Sequence, residues 1–149
     1  MFLLSFFIFL QCCTSFLGAH PSGSSQEEVL DKWLELISPS DTNCACASGA
    51  SSKDIKQLWD TLEFRDNKAC LKCYVKCLFY KLCLVDSDGN VIRDEFVTKL
   101  GIRNRIYHKC CQKTDDIIDQ CEKFYRFLEC IFSHLGDDRI DSSLDEVVI

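Results

Sequence analysis

The sequence predicts an all-α fold: a compact, disulfide-bridged bundle of about six helices. Three observations carry that prediction. Twelve cysteines stand in 149 residues beside only three histidines, which points to an oxidising compartment rather than to a metal site. Apolar residues recur at intervals of three and four, and strand-like alternation is scarce. Two prolines and six glycines leave long stretches without a helix breaker. A formal charge of −6 argues against a nucleic-acid partner, which needs a basic face.

Residues 1–19 read as a signal peptide. Phe2 to Leu10 is an apolar run broken only by Ser5, and small residues suited to cleavage follow at Ser15 and Ala19. The run lacks a basic residue before it. It also falls short of the roughly 20 apolar residues a span needs and has no basic stop behind it. Cleavage, secretion and no stable membrane insertion are therefore expected. Residues 20–149 form the mature domain, with ten cysteines and an acidic tail over 137–149.

Within the mature chain, Ser25 and Glu28 have capping-box spacing. Val29, Leu30, Trp33, Leu34 and Ile37 then recur at helical intervals. The stretch after Ser38-Pro39, up to Ser51, reads as a loop carrying Cys44 and Cys46. A second helix is expected from Lys53 to Phe64, capped by Ser52, with Ile55, Leu58, Trp59 and Leu62 on one face. Asp66 or Asn67 caps a third, reaching Leu84. Cys70, Cys73 and Cys77 lie on one side of it, and Leu71, Tyr74, Val75, Leu78, Phe79 and Leu82 on another. Asp86 to Asn90 is a turn. A short helix carrying Phe96 and Leu100 ends at Gly101, and another runs from Arg103 to Lys113 with Ile106 and Tyr107 inward. The last helix bears a continuous stripe of Phe124, Phe127, Leu128, Ile131, Phe132 and Leu135, closed by Gly136.

The cysteine spacing is the most specific signal. Cys73 and Cys77 are one helical turn apart, so both reach neighbours on the same side. Cys121 and Cys130 lie roughly two and a half turns apart and project from opposite sides of the last helix. Adjacent Cys110 and Cys111 do not suit a bridge to each other, because a vicinal disulfide is strained.

An early cysteine (Cys44 or Cys46), Cys73-x3-Cys77, Cys110 or Cys111, and Cys121-x8-Cys130 together resemble the framework of the arthropod odorant-binding proteins, the pheromone and general-odorant-binding family. The turn from Leu84 to Val91 is similar to that family's turn after its third helix. The resemblance implies bridges Cys46 (or Cys44) to Cys77, Cys73 to Cys121, and Cys111 (or Cys110) to Cys130. The interval from Cys77 to Cys110 or Cys111 is shorter than the family's. Cys70, Cys83 and one member of each alternative pair are surplus. The pairings left for them are the surplus early cysteine with Cys70, and Cys83 with the surplus one near residue 110.

Inward aromatics are numerous: Trp59, Tyr74, Phe79, Tyr107, Phe124, Phe127 and Phe132. Periodicity alone makes them packed core. The resemblance implies instead an internal cavity for small hydrophobic molecules, lined by Trp59, Tyr74, Leu78, Phe79, Leu82, Ile106, Phe124, Phe127, Leu128 and Ile131. It implies no cofactor, a chemosensory receptor as candidate protein partner, and a monomer or weak dimer. The tail ending Val147-Val148-Ile149 is a candidate lid, with a free solvated tail as the alternative, and His108 and His134 are candidate pH sensors.

Enzymatic sites are not expected. Asp86, Asp88, Gly89 and Glu95 fit four positions of a calcium loop, but Leu84 occupies the first. Thr114 stands where a phospholipase-like Cys110-Cys111 pair would need its histidine base. The order of Cys44-x-Cys46 and Cys110-Cys111 reverses that of plant lipid-transfer proteins. A zinc site would need reduced thiolates, contrary to the export signal. The rival class is a secreted protein-binding module, toxin-like or cytokine-like, with a solid interior and an outer apolar patch.

Overall fold

A computed structural model describes residues 24–137; residues 1–23, with the segment read as a signal peptide, and residues 138–149 of the tail lie outside the described part. Six α-helices and one π-helical turn make up that part: α1 (Gln26–Ile37), α2 (Asp41–Ser48), α3 (Ser52–Thr61), α4 (Ala69–Lys81), the π-helical turn (Glu95–Lys99), α5 (Asn104–Thr114) and α6 (Gln120–Asp137). No strand forms among these residues, apart from a single antiparallel bridge between Val85 and Val91.

α1 starts as its sequence predicts. The Ser25 hydroxyl accepts from the Glu28 N–H at 3.2 Å, and the Glu28 carboxylate accepts from the Ser25 N–H at 3.1 Å. Val29, Trp33 and Ile37 form its buried face. α3 is capped one residue earlier than expected: the Ser51 hydroxyl accepts from the Asp54 N–H at 3.1 Å. It stops at Leu62, whose φ of 53° breaks the helix. α4 ends at Lys81 rather than Leu84, because Cys83 takes a left-handed φ of 54°. Asp66 does not cap α4; its carboxylate pairs with Arg126 instead.

The segment expected as a loop is helix α2. Its sequence, DTNCACAS, presents no apolar face, so periodicity is blind to it. Small helix-compatible residues, an acid in the first turn and Gly49 at φ 72° still make a helix with both ends defined. Packing on α4 and a covalent tie then hold it.

Three disulfides are formed: Cys44–Cys77, Cys73–Cys121 and Cys110–Cys130. Cys44 and Cys110 thus take the bridges for which Cys46 and Cys111 were named first. Helix geometry gives the reason. Cys44 is buried against α4, whereas Cys46, roughly 200° further round α2, points outward. Cys110 likewise is fully buried toward α6, and Cys111 lies one step off that face. The additional bridges expected for Cys70 and Cys83 are not made. Cys46, Cys70, Cys83 and Cys111 are free thiols, the first three exposed.

The core is aromatic. Phe79 stacks on Phe124 at 4.9 Å, Phe96 meets Phe127 edge-on at 5.1 Å, and Trp33 leans on Phe79 at 6.1 Å. At the edge of the core, Lys72 pairs with Glu122 and so reinforces the α4–α6 contact, while Arg126 pairs along α6 with Glu122 at 2.7 Å and Glu129 at 2.8 Å. These side chains are only partly exposed, so solvent and salt screen the pairs less than they would at an open surface.

Replacing Cys73 and Cys121 together by serine should lower unfolding stability by about 4 kcal/mol, and replacing Cys110 and Cys130 by about 3 kcal/mol. The first pair closes the longer loop; urea titration measures the order. In native alkylation followed by mass spectrometry, Cys111 should react more slowly than Cys46, Cys70 and Cys83, since burial pushes its thiol above the usual range. Hydrogen bonds from Lys72 and Arg126 hold the Glu122 carboxyl below its ordinary value. Its stabilisation is therefore complete above the unfolded carboxylate range and is lost as pH falls through the depressed value. Glu122→Gln should flatten the decline in melting temperature below about pH 4.5.

Candidate functional site

A concavity lies at the surface between α1, α2 and α3. It has a volume of about 670 Å³, with Leu34, Ala45, Ala50, Ile55 and Trp59 as apolar walls and Asp41, Lys56 and Asp60 as charged groups. Lys56 and Asp60 are paired with each other one helical turn apart. A smaller recess of about 210 Å³ shares Leu34, Asp41 and Trp59 with it.

A buried polar chain stands behind this groove. The Trp59 Nε1–H donates to the Tyr74 hydroxyl at 3.3 Å, and that hydroxyl donates to the Asp41 carboxylate. Three helices meet there: α3 supplies Trp59, α4 supplies Tyr74 and α2 supplies Asp41. Burial, and next the hydrogen bond to Asp41, push the Tyr74 hydroxyl well above its ordinary range, so it stays protonated and remains a donor. Asp41 takes no ion-pair partner among the described residues.

Of the residues expected to line a cavity, Trp59 lines the groove and Tyr74 lies one hydrogen bond behind it. Leu78, Phe79, Ile106, Phe124, Phe127, Leu128 and Ile131 are buried in the core, and Leu82 is half-buried at the end of α4. The rings expected to surround an open centre lie against one another. The sequence reading missed Leu34, Asp41, Ala45, Cys46 and Ile55. Leu34 and Ile55 were visible on the apolar faces of α1 and α3. Asp41 and Ala45 gave no signal, because α2 has no periodic face.

His108 is exposed beside the Tyr107 ring. His134 brings a ring nitrogen within 4.8 Å of the Cys110 and Cys130 sulfurs, but those sulfurs are bonded to each other and offer no thiolate to a metal. No described helix is long and apolar enough to cross a membrane.

The family model for PBP/GOBP proteins matches residues 26–134, from the start of α1 almost to the end of α6. The chain belongs to the PBP/GOBP family. This is a family of binding proteins, and the disulfide-tied helices described above fall within the matched span but for the last residues of α6. Among relatives, the chain is similar to odorant-binding protein 10 of Aedes aegypti, 26% identical over 133 residues that cover 87% of this chain and 86% of that one. No solved structure gives a significant match.

Tyr74→Phe removes both hydrogen bonds of the buried chain while keeping the ring. It should cost about 1–3 kcal/mol in urea unfolding and leave the slope of the transition unchanged.

Proposed function

We propose that this PBP/GOBP protein is a secreted carrier that reversibly binds small hydrophobic molecules of the odorant or pheromone type. The groove carries the reading. Its size falls in the range of small-molecule pockets, and Leu34, Ala45, Ala50 and Ile55 form an apolar wall with the Trp59 indole, with charged and hydroxyl side chains at Asp41, Thr42, Ser52, Lys56 and Asp60 beside it. Family membership and the name of the Aedes relative support it. The apolar segment at residues 2–10 and three disulfides support export to an oxidising space.

In this reading the ligand seats against Trp59. Longer ligands extend past Tyr74 towards Leu78, Phe79, Leu82, Ile106, Phe124, Phe127, Leu128 and Ile131 as the rings between them shift. The protein-binding alternative needs an outer apolar patch. Large exposed hydrophobics among the described residues are limited to Tyr80 and Ile118, and two side chains do not make one.

A solvatochromic probe should be taken up by the refolded protein and displaced by aliphatic competitors. Trp59→Ala should weaken probe binding about tenfold or more, in line with loss of a large buried ring. Iodoacetamide labelling of Cys46, whose side chain lines the groove, should slow when the site is saturated. Absence of displaceable uptake sinks the carrier reading; uptake that leaves Cys46 labelling unchanged moves the ligand out of the groove.

A further inference from the structure

Among the described core residues, Trp33 stands out for an unmet hydrogen bond. It is 0% exposed, and its only polar atom, Nε1, has no hydrogen-bond partner. Buried donors almost always find an acceptor, so an orphaned indole N–H calls for a missing one. Nearby Trp59 shows the ordinary solution, since its N–H donates to Tyr74. The other unpartnered buried atom, Arg103 Nη1, belongs to a guanidinium that has interactions elsewhere, so its group is not orphaned as a whole.

The position of Trp33 is as informative as its isolation. Its ring lies 5.9 Å from Trp59 and 6.1 Å from Phe79. Trp59 and the chain neighbour Leu34 both line the groove. The orphaned donor thus belongs to the ring layer next to the groove wall, on a ring flanked by the Trp59 and Phe79 rings.

We infer that the Trp33 indole N–H is the polar anchor of the ligand site, and that the preferred ligands are small apolar molecules carrying a neutral acceptor oxygen, such as ketones, aldehydes and esters. This inference rests on the carrier reading. The chemistry of the surroundings narrows the class. A pure hydrocarbon leaves the N–H unsatisfied. An ammonium brings donors to a donor. A carboxylate must lose its hydration beside an apolar ring layer, in a chain of net charge −6 with Asp41 and Asp60 on the same groove. A carbonyl oxygen accepts the hydrogen bond without burying a charge.

The test compares 2-nonanone with 2-methyl-1-nonene, which has the same number of heavy atoms and a CH₂ in place of the oxygen. Two tryptophans give two indole N–H signals, and Trp59→Phe assigns them. The ketone should bind about five- to tenfold more tightly, the advantage expected for one hydrogen bond. It should also move the Trp33 N–H signal downfield and slow its exchange with solvent, while the alkene leaves the signal in place. Replacing the Trp33 indole by benzothiophene, which keeps the shape and loses the N–H, should abolish the ketone's advantage without lowering the melting temperature. A ketone that displaces the probe yet leaves the Trp33 signal unmoved overturns the anchor and spares the carrier. So does a ketone advantage that survives benzothiophene. Failure of both molecules to displace the probe removes anchor and carrier together. The signal comparison uses the unsubstituted protein and stands even where the benzothiophene variant does not fold.

Discussion

Two half-cystines one turn apart on α4 organise the molecule. Cys73 reaches α6 and Cys77 reaches α2, so a single helix face is tied to both of its principal neighbours. Cys110–Cys130 then joins α5 to α6, and the four helices α2, α4, α6 and α5 become one covalent chain. Packing follows the same path: α4 lies mainly on α6 and α2, and α5 on α6. The constraint matters most for α2. An eight-residue helix with no apolar stripe is marginal by itself in water. Its bridge to Cys77, together with the bond from Tyr74 to Asp41, fixes it as one wall of the groove.

That dependence also explains which parts of the fold could be seen in the sequence. The elements that bury a stripe were legible: α1 from its capping box, α6 from its aromatic ladder, α3 and α5 from their spacing. What α2 contributes is encoded in a disulfide and a tyrosine distant in the chain, so no local window contains it. The cysteine alternatives fall in the same class. Spacing narrows each bridge to two neighbouring candidates, but choosing between Cys44 and Cys46 requires knowing that the segment is helical. Once it is, two residues of rotation separate the buried position from the exposed one. The inward aromatics were legible as buried. Their packing upon one another, rather than around an opening, depends on side-chain directions that the pattern does not carry.

The two tryptophans next to the groove show how differently the same group can be treated a few ångströms apart. Trp59, Tyr74 and Asp41 form a chain in which each donor has an acceptor and the last acceptor is a carboxylate facing the groove. Such a chain is rigid, because breaking either link strands a buried polar atom. Trp33, in ring contact with Trp59, has nothing to lose by accepting a partner. Polar rigidity at one ring and unmet polar demand at the next is an arrangement suited to selecting a guest rather than merely filling space.

The distribution of covalent ties bears on how a guest of the proposed kind would get in. α1 and α3 contain no cysteine, and these helices carry Trp33 and Trp59. The groove therefore has one wall, α2, that is locked to α4 by a disulfide, and two walls without a covalent tie: α3 is held by packing and by the Trp59–Tyr74 hydrogen bond, and α1 by packing and by the Gln26 amide donating to the Phe132 carbonyl. Displacing α2 would require breaking a disulfide. Shifting α3 breaks the Trp59–Tyr74 hydrogen bond, whereas shifting α1 at Trp33 exchanges one apolar contact for another when the incoming molecule is itself apolar, so little burial is lost on the way. Local opening follows the weakest restraint. The side of the core nearest the groove, where α1 carries Trp33, is thus the side without covalent ties, while the bridged helices behind it keep their arrangement.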